Sequence, residues 1–287
     1  AWSTDYLKRR DASDSARLDC QLLLGHVTGL DKVQLYINFD RPLGTGELAT
    51  FRTLLQRRSA GEPVAYILGK KEFYGRDFAV DASVLVPRPE TEHMVDLVRE
   101  WVKKRELDAP KIVDVGTGSG AIAITLALEI ENAVVLGIDI SAEALQLARL
   151  NAESLAASDR VKLALGDVLS PVKSEGSVDV VVSNPPYLDD ALMATLSKDV
   201  GHFEPHLALY GGTDGLDIVR RLIQEAARVL RPGGLLAMEI AGTDQAGLID
   251  ALWTQSGAFD GAGTVSDYAQ HQRIVHATRL PLAADES

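Results

Sequence analysis

The sequence predicts an α/β fold: a doubly wound parallel sheet, preceded by a small helical domain and joined to it by a β-hairpin. Three observations carry this expectation. From Lys111 onward, short apolar segments alternate with amphipathic ones, the pattern of parallel strands covered on both faces. A glycine-rich turn, "DVGTGSG", stands between the first of these strands and its helix. Residues 1–70, by contrast, carry only helical periodicity.

The elements follow in order. "LDCQLLLGHVTGL" repeats apolar residues at helical spacing and predicts Leu18, Leu22, Leu23 and Val27 on one face. "GTGELATFRTLLQRRSAG" predicts a second helix that starts near Thr45 or Gly46 and ends near Gly61. Its inward residues are expected to be Leu48, Phe51, Leu54 and Leu55. "KEFY" and "FAV" flank Gly75-Arg76-Asp77, which predicts a hairpin. "VPRPETE" then stops extended structure, and Pro89, Glu90 and Glu92 suit the first turn of a helix. The expected domains are a helical recognition domain over 1–70, a hairpin linker over 71–88 and an α/β domain over 89–287.

Within the last of these, "KIVDVG", "AVVLGIDI", "VKLALGDV", "SVDVVVSN" and "GLLAMEI" read as strands. "AIAITLALEI", "SAEALQLARLNAESL", "GLDIVRRLIQEAARVL" and "AGLIDALWTQSG" read as helices between or after them. "GTVSD" and "QRIVHATR" predict a closing hairpin, and "PLAADES" a frayed end. There is no internal repeat.

Bulk properties narrow the function. Lys and Arg number 29 against 41 Asp and Glu, a formal charge of −12. Residues 1–80 hold 12 basic and 10 acidic residues, so the remainder carries −14. An acidic main domain is a poor general nucleic-acid surface, because phosphate neutralisation drives such binding. No stable nucleic-acid partner is therefore expected. No apolar run approaches the ~20 residues of a membrane span. The N-terminus lacks a signal-peptide pattern, and the absence of an initiating Met suggests that a few residues are trimmed or missing. Cys20 is the only cysteine, which excludes a disulfide framework or a Cys-based zinc cluster and points to a reducing cytoplasm. No metal site is expected, and nothing demands more than a monomer.

The chemistry-bearing residues fall at successive strand ends. Gly116, Gly118 and Gly120, with Thr117 and Ser119 between them, let the backbone turn sharply and approach a ligand closely. Their spacing is G-x-G-x-G rather than the dinucleotide G-x-G-x-x-G. With Asp114 ahead of it, this loop resembles the first motif of Rossmann-like S-adenosylmethionine-dependent methyltransferases. Asp139 ends the second strand, where an acid can accept from both ribose hydroxyls; Ser141 suits the cap of the next helix. Asp167 ends the third strand. In the class resembled, an acid there faces the adenine amino group, and the next residue, Val168, lines the adenine pocket.

The fourth strand ends on Asn184-Pro185-Pro186-Tyr187. Two prolines cannot continue a central strand. The Asn184 side-chain oxygen and the Pro185 carbonyl are two acceptors, each able to take one N–H of a planar NH₂ group. Tyr187 can pack its ring on that group. This is positioning catalysis for an in-line displacement. The motif is similar to that of methyltransferases acting on adenine, cytosine or glutamine side-chain nitrogens.

A closer resemblance rests on five segments in order: "EPVAYILGKKEFYG", "VLVPRPETE", "DVGTGSGAIAI", "SNPPY" and "FEPHLALYGGTDGL". Together they resemble the peptide chain release factor N5-glutamine methyltransferase family. The resemblance implies a Rossmann-like methyltransferase domain, S-adenosylmethionine as donor and a release factor as protein substrate, methylated on the glutamine of its Gly-Gly-Gln motif. Carried over, Gly116–Gly120, Asp139, Val168 and Asn184 bind the donor, and Asn184–Tyr187 meet the substrate glutamine. A sister family that modifies a ribosomal protein shares the motif; "PRPETE" looks more like the release-factor branch. A nucleic-acid adenine-N6 methyltransferase is the other alternative, disfavoured by the charge balance. Glu204 and Pro205 are expected at the pocket rim, and His202 and His206 as loop residues. Arg88 is expected either near the donor carboxylate or in an ion pair with Glu90 or Glu92.

Overall fold

A seven-stranded sheet in the order β5-β4-β3-β6-β7-β9-β8 organises the C-terminal two thirds of the computed structural model, which describes residues 2–10, 15–267 and 269–281. The strands are β3 (Lys111–Val115), β4 (Val134–Asp139), β5 (Val161–Leu165), β6 (Val178–Ser183), β7 (Leu230–Glu239), β8 (Phe259–Ser266) and β9 (Gln272–Arg279). The first five pair in parallel, and β9 is antiparallel to both β7 and β8. The predicted doubly wound sheet and closing hairpin are thus observed. Strand β7 begins earlier than the apolar pattern suggested, because Leu230 already pairs with Val178 before the register shifts. The frayed end expected after Leu280 falls, from residue 282 on, outside the described residues.

Helices α6 (Glu92–Lys104), α7 (Ala121–Glu129), α8 (Ala142–Ser154), α11 (Asp217–Val229) and α12 (Thr243–Ser256) cover the sheet, and the short α9 (Asp190–Ala194) and α10 (Lys198–Phe203) lie in the connection between β6 and β7. Fully buried β-branched residues of β6, Val180 and Val182 toward one layer and Val181 toward the other, show the two-sided burial behind the continuous apolar run. Strand order reverses between β3 and β6, so the crevice outside their carboxyl ends is the expected ligand position.

The N-terminal helices are α1 (Trp2–Arg9), α2 (Ala16–Thr28), α3 (Lys32–Ile37), α4 (Thr45–Ser59) and α5 (Val64–Leu68). The buried face of α2 differs from the expected one. Ala16, Asp19, Cys20 and Leu23 face inward, whereas Leu18 and Leu22 are exposed. The reason is Asp19, whose Oδ2 accepts from Arg58 Nε at 2.7 Å in a buried pair. A charged residue thus occupies a position that apolar counting assigns to solvent. Leu48 of α4 is also more exposed than expected, while Phe51, Leu54 and Leu55 are buried.

Strands β1 (Lys70–Phe73) and β2 (Arg76–Ala79) form the predicted hairpin. Its turn is Tyr74-Gly75, both at positive φ, the geometry that matches strand twist in a two-residue loop. The hairpin is anchored rather than free. Phe73 and Phe78 meet edge to face at 6.1 Å and join the main core. Asn151 of α8 accepts from Ala79 N through Oδ1 and donates from Nδ2 to the carbonyls of Ala79 and Ser119. One buried amide therefore ties the hairpin to the glycine-rich loop.

Candidate active site

Strand register brings the predicted residues together. Val115 pairs with Ile138 and with Ser183, and Ser183 pairs with Met238. The next residues on these four strands are Gly116, Asp139, Asn184 and Glu239, so they form one row along the carboxyl edge. The Ser183 hydroxyl donates to the Val115 carbonyl at 2.8 Å, fastening the two central strand ends.

The loop after β3 folds as its glycines require. Gly116, Gly118 and Gly120 take φ of +72°, +55° and +80°. Only glycine adopts these angles without strain. At Gly120 a β-carbon would also meet Ile124 at 2.8 Å. Asp139 holds the loop from the side: Oδ2 accepts from Gly118 N at 2.8 Å and Oδ1 from Ser141 N at 2.9 Å. Burial pushes its carboxyl up, and these backbone donors oppose the shift. Each oxygen keeps a further lone pair for a ligand hydroxyl. The Ser141 hydroxyl accepts from Ala144 N, the predicted cap.

A cavity of about 280 Å³ opens at this edge, lined by Gly116–Ser119, Asp139, Asp167, Val168, Asn184 and Pro186 among others. Residues of two segments from elsewhere in the chain also line it: Ser83, Val84, Leu85 and Pro87, and Pro205, Leu207, Ala208 and Tyr210. Concave, mostly apolar sites with a few fixed polar groups are typical of small-molecule binding. Val168 is buried with φ +49°, a left-handed conformation rare for a β-branched residue. Asp167 stands at the rim, where its Oδ2 accepts from Arg221 at 2.8 Å. Its ordered carboxylate, the paired oxygens of Asp139 and the glycine cradle fit a nucleoside-bearing donor.

The motif residues do not all reach the cavity. Asn184 and Pro186 line it; Pro185 is buried and Tyr187 half-buried, and neither is part of its wall. The turn is held by neighbours. Gln245 donates from Nε2 to the carbonyls of Tyr187 and Gly215 at 3.2 Å and accepts from Ala241 N. Leu188 and Tyr210 form a bridge, with Leu188 N donating to Leu209 O. Two glycines of "YGGTDG" press against the motif. A β-carbon on Gly211 would lie 2.5 Å from the Pro186 carbonyl, and one on Gly215 would lie 2.4 Å from that of Tyr187. The glycines are there because the backbones touch.

Arg88 pairs with an acid far along the chain. Its Nη2 donates to both carboxylate oxygens of Glu204 at 2.8 Å. Glu90 and Glu92 are thus not its partners; Glu92 instead accepts from Tyr74 N. Glu204 is buried and does not line the cavity, so the expected rim position holds for Pro205 but not for Glu204. His206 lies in a 3₁₀ turn and stacks obliquely on Tyr210.

Two buried polar residues escaped sequence reading. Thr91 lines the cavity, and its hydroxyl donates to Glu239 Oε2 at 2.5 Å. Glu239 Oε1 accepts from the Tyr187 hydroxyl at 3.4 Å. Glu239 carried a legible signal, an acid ending an apolar strand just as Asp139 and Asp167 do. Thr91 carried none.

Residues 1–69 match the family model described as the PrmC N-terminal domain, and residues 107–267 match one described as a methyltransferase domain. The chain is 39% identical over 276 residues to a release factor glutamine methyltransferase of Rhodopirellula baltica, covering 96% of this chain and 93% of that one. It is 45% identical over 233 residues to that of Chlorobaculum tepidum, covering 79% of each. Among solved structures, a methyltransferase from Pyrococcus furiosus has a TM-score of 0.53 at 20% identity, covering 72% of this chain and 91% of that one. That likeness is one of fold.

Proposed function

The chain belongs to the release factor glutamine methyltransferase family, and from that premise we propose the following chemistry for its site. The enzyme methylates the side-chain amide nitrogen, N5, of the glutamine in the Gly-Gly-Gln motif of peptide chain release factors. S-Adenosylmethionine supplies the electrophilic methyl group. The observation that carries this reading is the register of the strand ends: Ser183 pairs with Val115, so Asn184 stands beside Gly116 at the same cavity.

Donor binding falls to Gly116–Gly120, with Asp139 accepting from the ribose hydroxyls and Asp167 and Val168 at the adenine end. The glutamine NH₂ is assigned to Oδ1 of Asn184, which lines the cavity, and to the Pro185 carbonyl of the same turn, which the substrate must reach past the wall formed by Asn184 and Pro186. Pro186 offers a flat apolar wall, and Tyr187 braces the turn through its hydroxyl. An amide nitrogen is a weak nucleophile because its lone pair is delocalised. Fixing its direction supplies the kind of advantage that orientation gives, and the two acceptors favour the positive charge that develops on it. The nitrogen gains one methyl and afterwards releases one proton to water, so no enzymic base is required.

Labelled donor offered with release factor, ribosomal protein and unmethylated DNA tests the substrate. Label is expected on the release-factor glutamine; label on DNA but on no Gly-Gly-Gln protein would overturn the reading. Asn184→Ala should abolish transfer while weakening donor binding less.

A further inference from the structure

Glu239 is 3% exposed at the end of β7, beside the proposed methyl-transfer site but outside the cavity wall. It gathers three elements. Thr91, from the 3₁₀ turn Pro89–Thr91 before α6, donates to Oε2; Tyr187, after β6, donates to Oε1. Asn184 Nδ2 lies 3.4 Å from Thr91 Oγ1.

The chemistry of these groups fixes the direction of every bond. An ionised carboxylate has no proton to give and only accepts. A threonine hydroxyl has one proton, and here it is given to Glu239. The Thr91 oxygen can then only accept, and only the Nδ2 end of the Asn184 amide has hydrogens to donate. Nδ2 is therefore turned to Thr91, which leaves Oδ1 as the end free for a ligand. That is the acceptor a substrate NH₂ requires. The reverse orientation would set Oδ1 against the Thr91 oxygen, two acceptors facing each other, and would turn the amide hydrogens toward the substrate NH₂.

We propose that Glu239 is a positioning residue for methyl transfer: through Thr91 it fixes which end of the Asn184 amide meets the substrate, and through Tyr187 it steadies the turn that carries that amide. The proposal rests on the reading of Asn184 as the substrate acceptor. The groups facing Glu239 are Thr91 and Glu90 from the 3₁₀ turn, Tyr187 from the end of β6 and Arg273 from β9. Arg273 is itself paired with Asp267. Burial is the main influence on Glu239 and pushes its carboxyl up to about 7. Protonated, it would have a hydrogen to give to Thr91, and the chain of donors could reverse.

The test compares wild type with Glu239→Gln, Thr91→Val, Thr91→Ser and Asn184→Ala. It measures kcat for release-factor methylation at saturating donor between about pH 5.5 and about pH 8.5, together with donor Kd. Glu239→Gln and Thr91→Val should each lower kcat by about tenfold to a hundredfold, the scale of a misplaced reacting group, with donor Kd nearly unchanged. Thr91→Ser, which keeps the hydroxyl, should retain most activity. The double variant Glu239→Gln/Thr91→Val should lose little beyond either single one, because both break the same chain. Wild-type kcat should fall as pH drops below about 7, and Glu239→Gln should lack that limb. Wild-type kcat in Glu239→Gln and Thr91→Val, with Asn184→Ala inactive, overturns the positioning role and leaves the acceptor reading standing. An active Asn184→Ala removes the acceptor reading itself. Equal losses in Thr91→Ser and Thr91→Val would also defeat the proposal, since shape rather than the hydroxyl would then matter.

Discussion

Arg88 Nη2 holds both carboxylate oxygens of Glu204 at 2.8 Å, across 116 positions of sequence. The pair joins the segment after the hairpin to the segment before Tyr210, and both segments contribute residues to the cavity wall. The Glu204 side chain is only 1% exposed, whereas that of Arg88 is 33% exposed. Burial pushes the Glu204 carboxyl up, and the Arg88 charge opposes this. Removing the cation strands a buried carboxylate. Arg88→Ala should therefore destabilise the protein by about 3 kcal/mol. Adding Glu204→Gln should restore most of that, because a neutral amide needs no counter-ion. Urea unfolding of the three proteins is the check; a wild-type midpoint for Arg88→Ala would show that the pair contributes nothing to the fold.

The same pair shows where sequence reading stops. Strand ends are legible because they are local: an apolar run followed by glycine, acid or Asn-Pro-Pro already places Gly116, Asp139, Asp167 and Asn184 on one edge. Partners are not local. Arg88 has two acids within four positions, yet its carboxylate lies far along the chain. Asp19 looks like a solvent-facing residue of α2 until Arg58 arrives from α4. Thr91 acquires meaning only when β7 delivers Glu239, 148 positions later. Gly211 and Gly215 of "YGGTDG" answer to a backbone approach that exists only in the fold.

Asp139 gives a prediction in which two roles separate. Its carboxylate accepts from Gly118 N and Ser141 N, and it is proposed to accept from the ribose as well. Asp139→Ala removes all of these acceptors and frees the loop. Hydrogen bonds to a charged group are worth about 1.5–3 kcal/mol each, so donor Kd should rise by roughly tenfold to a hundredfold or more. Asp139→Asn keeps one carbonyl acceptor and should fall between. Calorimetric titration with S-adenosylhomocysteine measures this directly. An unchanged Kd for Asp139→Ala would remove the residue from the donor site.

Asp114 links the donor loop to pH. It is fully buried, and Oδ2 accepts from the Thr117 hydroxyl at 2.7 Å and from Ala123 N at 3.2 Å. Oδ1 has no partner. Burial pushes the carboxyl up to about 7; the two donors pull against that, and the nearby Asp139 charge adds to it. The folded state therefore holds a proton that the unfolded chain releases near its ordinary value of 3.8. Native protein binds more protons than unfolded protein across that window, so stability falls as pH rises from about 4 to about 7. Glu239, also raised to about 7, has the same sign. His276, whose imidazole is lowered by burial, has the opposite sign and loses stability as pH falls. Comparison with Asp114→Asn isolates the one group, since the amide cannot ionise. Relative to wild type, the variant should gain stability between about pH 5 and about pH 8, on the order of a few kcal/mol. Unfolding free energies of both proteins at the two pH values provide the measurement. A difference that stays constant with pH would mean that Asp114 does not titrate in this range, and that its unpartnered oxygen is not held at the cost the burial implies.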